Sequence, residues 1–286
     1  MTATTSPRQR HGARVLEITG GGGGISLAEL SELWEFREVL MAFAQRKVKV
    51  RYKQAIIGIS WAVIQPAFSA VLFSVVLGRL AHVPSEGAPY ILFALAGMVA
   101  WTYFSTSSGQ AIDSFITDGA MIRKVYFPRE ILPLSSLLAG TVDLLPGLAV
   151  LAVLAATMGV LPSVWWLFLP LPLLLLLVTA AALSLGLSAL NAYYRDVRYG
   201  MSFIFQIGLF ASPVVYPLGL VPHQWRTLYA VINPVAESID AIRRIVVHQS
   251  APDFWLLGLS FVWAVLLLAL SYAAFKRLER GISDRI

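Results

Sequence analysis

Apolar residues along this chain gather into six long runs, at residues 56–80, 90–112, 131–158, 164–190, 201–218 and 254–275. All but the fifth reach the ~20 residues with which an α-helix crosses a ~30 Å hydrocarbon layer. Backbone at that depth must satisfy its own hydrogen bonds, which favours helix throughout. The pattern predicts an all-α membrane protein with six transmembrane helices, occupying residues 55–286.

The segment ahead of the first run has a different rhythm. Ser26 to Glu29 match a capping box, with Ile25 and Leu30 placed as a hydrophobic staple. Leu33, Phe36, Leu40 and Phe43 come next at spacings of three and four. Glu29, Glu32, Glu35 and Glu38 come early, and Arg46, Lys47, Lys49, Arg51 and Lys53 come late, an order that suits the helix dipole. An apolar stripe with a basic end predicts a cytoplasmic amphipathic helix over 25–54, lying in the membrane interface. Residues 1–24 are polar and end in five glycines, which reads as a disordered tail.

The fifth run is short, and Pro213, Pro217, Pro222 and Pro234 interrupt its end and the segment beyond it. Irregular backbone at membrane depth persists only where protein or a water-filled cavity covers it. The spacing predicts two short re-entrant helices between the fifth and sixth spans, at 222–231 and 234–247. The bland alternative is an external loop carrying a surface helix.

Charge orients the map. The chain is 57% hydrophobic and 13% charged, with a net charge of +6. Of the 22 Lys+Arg, 18 fall before the first span, between the second and third, between the fourth and fifth, or after the sixth. Basic residues favour the cytoplasmic side, so both termini are expected inside. The positive charge is then an orientation signal with a preference for anionic membrane lipid, not a nucleic-acid footprint. There is no cysteine, and His11, His82, His223 and His248 lack metal-ligand spacing. No cleavable signal-peptide pattern is visible. The glycine run at 20–24 has no Lys-Ser/Thr ending and no preceding strand, so it is a linker rather than a phosphate loop. Glu237, Asp240 and Asp253 are spread along the chain, which disfavours an enzyme of the membrane surface. Asp143 is the one acid deep in a span. It serves either as a hydrogen-bond partner for backbone freed at Pro146 or as the relay of an ion-coupled transporter.

Five short motifs carry a resemblance. The first comprises Arg51-Tyr52, Gly58, Trp61 and Pro66, and the second Leu95-Ala96-Gly97 with Trp101. The third, Lys124-Val125-Tyr126-Phe127-Pro128-Arg129-Glu130-Ile131-Leu132-Pro133, is the most specific. The fourth runs from Leu190-Asn191 through Tyr193-Tyr194-Arg195-Asp196-Val197-Arg198. The fifth is Ser212-Pro213-Val214-Val215-Tyr216-Pro217, with Trp225 and Asn233-Pro234 beyond. In this order, from about residue 27 to the tail, they resemble the membrane subunits of type-2 ABC transporters that export polysaccharide, the O-antigen, teichoic-acid and galactan permeases. Asp143 departs from the resemblance, which expects a neutral polar residue there.

The resemblance implies a permease without catalytic residues of its own, in a bacterial inner membrane. It would work as a homodimer on two copies of a separate ATPase that binds ATP and Mg²⁺, and export a glycan on a polyprenyl pyrophosphate. Arg123, Lys124, Arg129 and Glu130, in the loop 113–130, are the candidate contacts to that ATPase; the alternative for the basic pair 123–124 is topology alone. Within the turn of the fourth motif, Asp196 is expected to brace Arg195 or Arg198. Arg51 would meet the pyrophosphate or simply anchor the helix. Sugar faces slide over aromatic rings through many weak contacts. Trp61, Tyr90, Trp101, Tyr103, Phe104, Phe203, Phe210 and Tyr216 are therefore the candidate channel lining, a minority of them expected to face the pore. Pro213, Tyr216, Pro217, Trp225 and Pro234 would form an outer gate. A drug or lipid exporter of the same superfamily is the nearest alternative.

Overall fold

The computed structural model describes residues 27–53, 58–122, 126–279 and 281, and among them every regular element is helical. The lead-in is two helices, α1 (Leu27–Glu35) and α2 (Arg37–Lys53). The bundle comprises α3 (Trp61–Phe73, continued by a wider turn over Ser74–Leu80), α4 (Tyr90–Ile112), α5 (Ser114–Ile122), α6 (Ile131–Thr157), α7 (Pro170–Tyr193), α8 (Asp196–Ala211), α9 (His223–Ile232), α10 (Pro234–Val246) and α11 (Phe254–Glu279). Among the described residues, five helical stretches are long and apolar enough to cross a membrane: Trp61–Leu80, Tyr90–Ile112, Ile131–Thr157, Val164–Tyr193 and Phe254–Glu279. The Ser26 cap of the lead-in lies outside the described residues.

Helix α4 is the axis of the bundle. Its apolar window is 78% buried, against 11% for the stretch containing α3. Small residues make this possible, because they let helix backbones approach closely. Gly140 of α6 sits so near Ser107 of α4 that an added Cβ would fall 1.8 Å from the Ser107 Oγ, and Gly147 sits against Val99. Helices α7 and α11 run side by side in the same direction. Phe168, just before α7, packs edge-on to Phe254 at 5.4 Å, while at the other end the Tyr193 hydroxyl donates to the Leu278 carbonyl at 2.7 Å.

That parallel pair forces the chain to return along the bundle between Tyr193 and Phe254, and α8 makes the return. It starts beside the C-terminal end of α4, where Arg198 pairs with Asp113 at 3.2 Å. It finishes beside the N-terminal end of α4, where the Tyr90 hydroxyl meets the Val215 carbonyl. The sequence expectation placed a span over 201–218, but the helix is 16 residues long and stops at Ala211. Pro213 and Pro217 lack the amide protons to continue it, and the chain turns there.

The lead-in stripe finds protein rather than an open interface. Leu33, Phe36, Leu40 and Phe43 pack onto a cluster formed by Phe115, Phe127, Ile131, Leu132 and Phe275. Phe43 and Phe127 stack at 5.2 Å. Trp34, Met41 and Val50 are exposed apolar residues of this segment. The described ends of the chain thus lie together at one end of the bundle, where Lys47, Arg129, Arg198 and Lys276 also gather; we call it the basic end.

Candidate functional site

A cavity of about 180 Å³ opens between the last turn of α2, α3, α4 and α6. Arg51 and Tyr52 reach it from α2, Trp61 from α3, Thr102 and Tyr103 from α4, and Asp143 from α6. Arg51 forms an ion pair with Asp143 and also donates to the Gln110 side chain; the Tyr52 hydroxyl donates to the same Asp143 carboxylate. Deeper in, the Tyr103 hydroxyl is buried and makes no hydrogen bond among the described residues. A cationic group, aromatic faces and an unspent hydroxyl around one space are the chemistry that would suit an amphiphilic, oxygen-rich ligand. The sequence left Asp143 two roles, a partner for the backbone freed at Pro146 or an ion relay. It is instead the counter-ion of Arg51, which accounts for an acid where the resemblance expects a neutral residue.

The aromatic candidates separate into groups. Trp61 and Tyr103 line this cavity, joined by Tyr52, which sequence reasoning had not nominated. Trp101 and Phe104 are buried in packing instead: they stack at 5.6 Å, and Phe104 meets Phe205 of α8 edge-on. Phe203 and Phe210 stand exposed on α8, 62% and 58% accessible, away from the cavity lining. Tyr90 is committed to the Val215 carbonyl, and Tyr216 to the Tyr229 hydroxyl at 3.4 Å.

At the far end, one residue organises the proline-broken turn. Arg243 of α10 is 1% exposed. Its guanidinium donates to the carbonyls of Phe93, Pro213, Val214 and Tyr216 and lies 3.5 Å over the Phe93 ring. Prolines 213 and 217 break the helical ladder and leave carbonyls without amide partners. A planar group with five donors satisfies several at once. Gly97 makes room, since a Cβ there would fall 2.3 Å from the Val214 carbonyl oxygen. Asn233 ties the turn to α10, donating to Ser212 at 2.9 Å and capping the Ala236 amide, with Pro234 at the first helical position. Pro213 and Pro217 are buried in this turn, whereas Trp225 is exposed on α9. The charge map alone makes Arg243 an external loop residue. The signal that would have found its role is a run of prolines, hence orphaned carbonyls, upstream of an arginine flanked by Ile239, Ile242 and Val246.

At the basic end, Glu130 is 1% exposed and pairs with Lys276, while accepting from the Tyr272 hydroxyl at 3.1 Å. Arg129 donates to the Glu279 carbonyl and lies 3.9 Å from its carboxylate. Both are engaged by α11, and Glu130 is buried there. Arg123 and Lys124 lie outside the described residues. Arg198 pairs with Asp113 rather than with Asp196. Asn191 donates to the Ile112 carbonyl and the Asp113 side chain, closing the end of α4. Lys47 bonds Asp118 of α5 at 2.8 Å and Ser136 of α6 at 2.7 Å. Burial lowers its pKa, and the Asp118 contact opposes that shift. Among the described residues no cluster of His, Asp and Glu is arranged to hold a metal ion.

A helical bundle with five stretches long and apolar enough to cross a membrane, among the described residues, is the architecture of a multi-pass membrane protein. Residues 38–247 match the ABC-2 type transporter family, and the chain belongs to it. It is similar to the O-antigen export system permease protein RfbA of Myxococcus xanthus, with 29% identity over 246 residues, 84% of this chain and 92% of that one. It is also similar to the RfbA permease of Klebsiella pneumoniae, with 23% identity over 250 residues, 86% of this chain and 94% of the relative.

Proposed function

We propose that this protein is the membrane-spanning permease subunit of an ATP-driven exporter that moves a polyprenyl-pyrophosphate-linked polysaccharide across the bacterial inner membrane. The observation that carries the reading is the cavity rim. A guanidinium held by an acid and a glutamine stands at the end of an aromatic-walled space, in a chain similar to O-antigen export permeases along nearly their whole length. Arg51 would meet the pyrophosphate at the basic end, and Tyr52, Trp61 and Tyr103 would carry the first sugars. Asp143 holds Arg51 in place and lowers the net charge of the site, so the anion can leave again.

In this reading the basic end is cytoplasmic, and α8 with the turn after it completes a sixth crossing. Helices α9 and α10 dip into the outer leaflet as the gate, braced by Arg243. Two copies of the chain enclose the path, and two copies of a separate ATPase bind ATP and Mg²⁺. The exposed face of α5, with Ile116 and Thr117, and the outer face of the lead-in, with Trp34 of α1 and Arg37 of α2, are the surfaces left for that ATPase. Charge and an exposed apolar residue together suit a reversible polar interface. The ion-coupled alternative loses its support because Asp143 is already bound by Arg51 and Tyr52.

Purification from native membranes in a mild detergent tests the proposal. An ATPase recovered in equal amount supports it. The permease recovered alone, under conditions that keep other complexes whole, contradicts it.

A further inference from the structure

The face of α6 turned away from the cavity carries a second feature. Cavity-lining residues of α6 are Gly140, Asp143, Leu144 and Gly147. At 100° per residue, Leu138 and Val142 point to the opposite side of the helix. There they form a groove of about 300 Å³ against α2, walled by Met41, Ala44 and Val48 on one side and Leu138, Ala139 and Val142 on the other. The same α6 face runs on through Leu145 and Val153, each 65% exposed, so the groove continues into an apolar surface on the outside of the bundle.

At its other margin, through Gln45 and Lys49, the groove gives onto the outer face of α2. Arg46, Lys49 and Lys53 lie along that face. Arg46 leans toward Asp118 at 3.8 Å, whereas Lys49 and Lys53 are exposed and make no ion pair among the described residues. An apolar slot leading to unpaired ammonium groups is complementary to a molecule with an acyl chain and a phosphate. The slot faces outward, not into the cavity, so its occupant comes from the surrounding bilayer.

We infer that the α2/α6 groove is a binding site for an anionic glycerophospholipid, its acyl chain between Val48 and Val142 and its phosphate on Lys49 and Lys53. The bound lipid clamps α2 to α6 on the face opposite the Arg51–Asp143 pair. It is a constituent of the membrane, distinct from any exported substrate.

The test is native mass spectrometry of the full-length protein in a neutral detergent, with dioleoylphosphatidylglycerol or dioleoylphosphatidylcholine added at equal concentration. The wild type is expected to retain the phosphatidylglycerol preferentially. Each lysine near a charged headgroup contributes about five-fold in affinity, so K49Q/K53Q should cut the preference about twenty-five-fold, and K49R/K53R should keep it. Val142→Trp fills the slot and should lower retention of both lipids; a monodisperse profile on gel filtration shows that the variants are folded. Equal retention of the two lipids by the wild type overturns the inference, as does an undiminished preference in folded K49Q/K53Q. Displacement of the phosphatidylglycerol by decaprenyl phosphate at a lower concentration also overturns it, by assigning the site to a polyprenyl carrier.

Discussion

Arg51 and Asp143 form an ion pair across the mouth of the cavity, with Tyr52 donating to the same carboxylate. Each side chain is about one-fifth exposed, at 23% and 20%, so solvent screens the pair only in part. Removing one partner strands the other, which costs more than the pair contributes in net terms. Asp143→Asn and Arg51→Gln should each lower stability by about 1–3 kcal/mol, and the double variant by less than their sum. Thermal unfolding of the purified protein in detergent reads this cycle. Strict additivity would show that the two side chains do not interact. In the proposed role the carboxylate positions Arg51 and relays no proton, so export should survive Asp143→Asn in reduced measure.

Arg243 is the most heavily committed side chain of the far end. Arg243→Lys keeps a charge but offers a compact ammonium in place of the planar fork, so several carbonyls among Phe93, Pro213, Val214 and Tyr216 lose their donor. The expected cost is about 3 kcal/mol or more. The turn at 212–217 should become a site of rapid proteolysis, read by limited digestion and mass mapping. Wild-type resistance in the lysine variant would show that the carbonyls are satisfied some other way.

Close approach of α4 and α6 depends on one hydrogen atom. A methyl group at Gly140 would overlap both the Oγ and the Cβ of Ser107, the latter at 2.8 Å. Gly140→Ala should therefore destabilise by about 1–3 kcal/mol through overpacking, despite the better helix propensity of alanine. Adding Ser107→Ala removes the nearer clash and should restore part of the loss. A stabilising Gly140→Ala would contradict this packing.

Lys47 gives a pH signature. Burial holds its folded-state pKa below the ordinary lysine value. Between the folded and unfolded values the unfolded chain binds more protons, so this residue makes stability rise with pH across that alkaline window. Below the folded value its contribution is constant. Lys47→Met should flatten the rise when melting temperature is followed against pH. An unchanged slope would show that another group is responsible.

Long apolar runs placed α4 at residues 90–112 and the start of α6 at 131, because a helix in hydrocarbon begins and ends where polar residues do. The fifth run misled for the same reason. Residues 212–218 are apolar, but Pro213 and Pro217 end the helix at Ala211, and composition does not register missing amide protons. In the site, a charge near a span end, together with the substrate the resemblance implies, nominated Arg51. Its partner was not legible, since Asp143 meets it only after α2 and α6 pack together. The loop motif behind Arg129 and Glu130 reads as a docking surface, and the structure pairs these two charges with Glu279 and Lys276 of α11. A sequence position between two spans does not say whether a charge faces water or a neighbouring helix.

Reconstitution tests the central claim most directly. The protein and its ATPase would be placed in vesicles carrying a polyprenyl-linked glycan on one face, and the glycan on the other face read with a membrane-impermeant lectin. The account predicts lectin binding that appears with ATP and Mg²⁺, requires both subunits and falls in Arg51→Gln. Glycan transfer driven by a proton gradient without ATP, or no transfer with both subunits and ATP present, would contradict it.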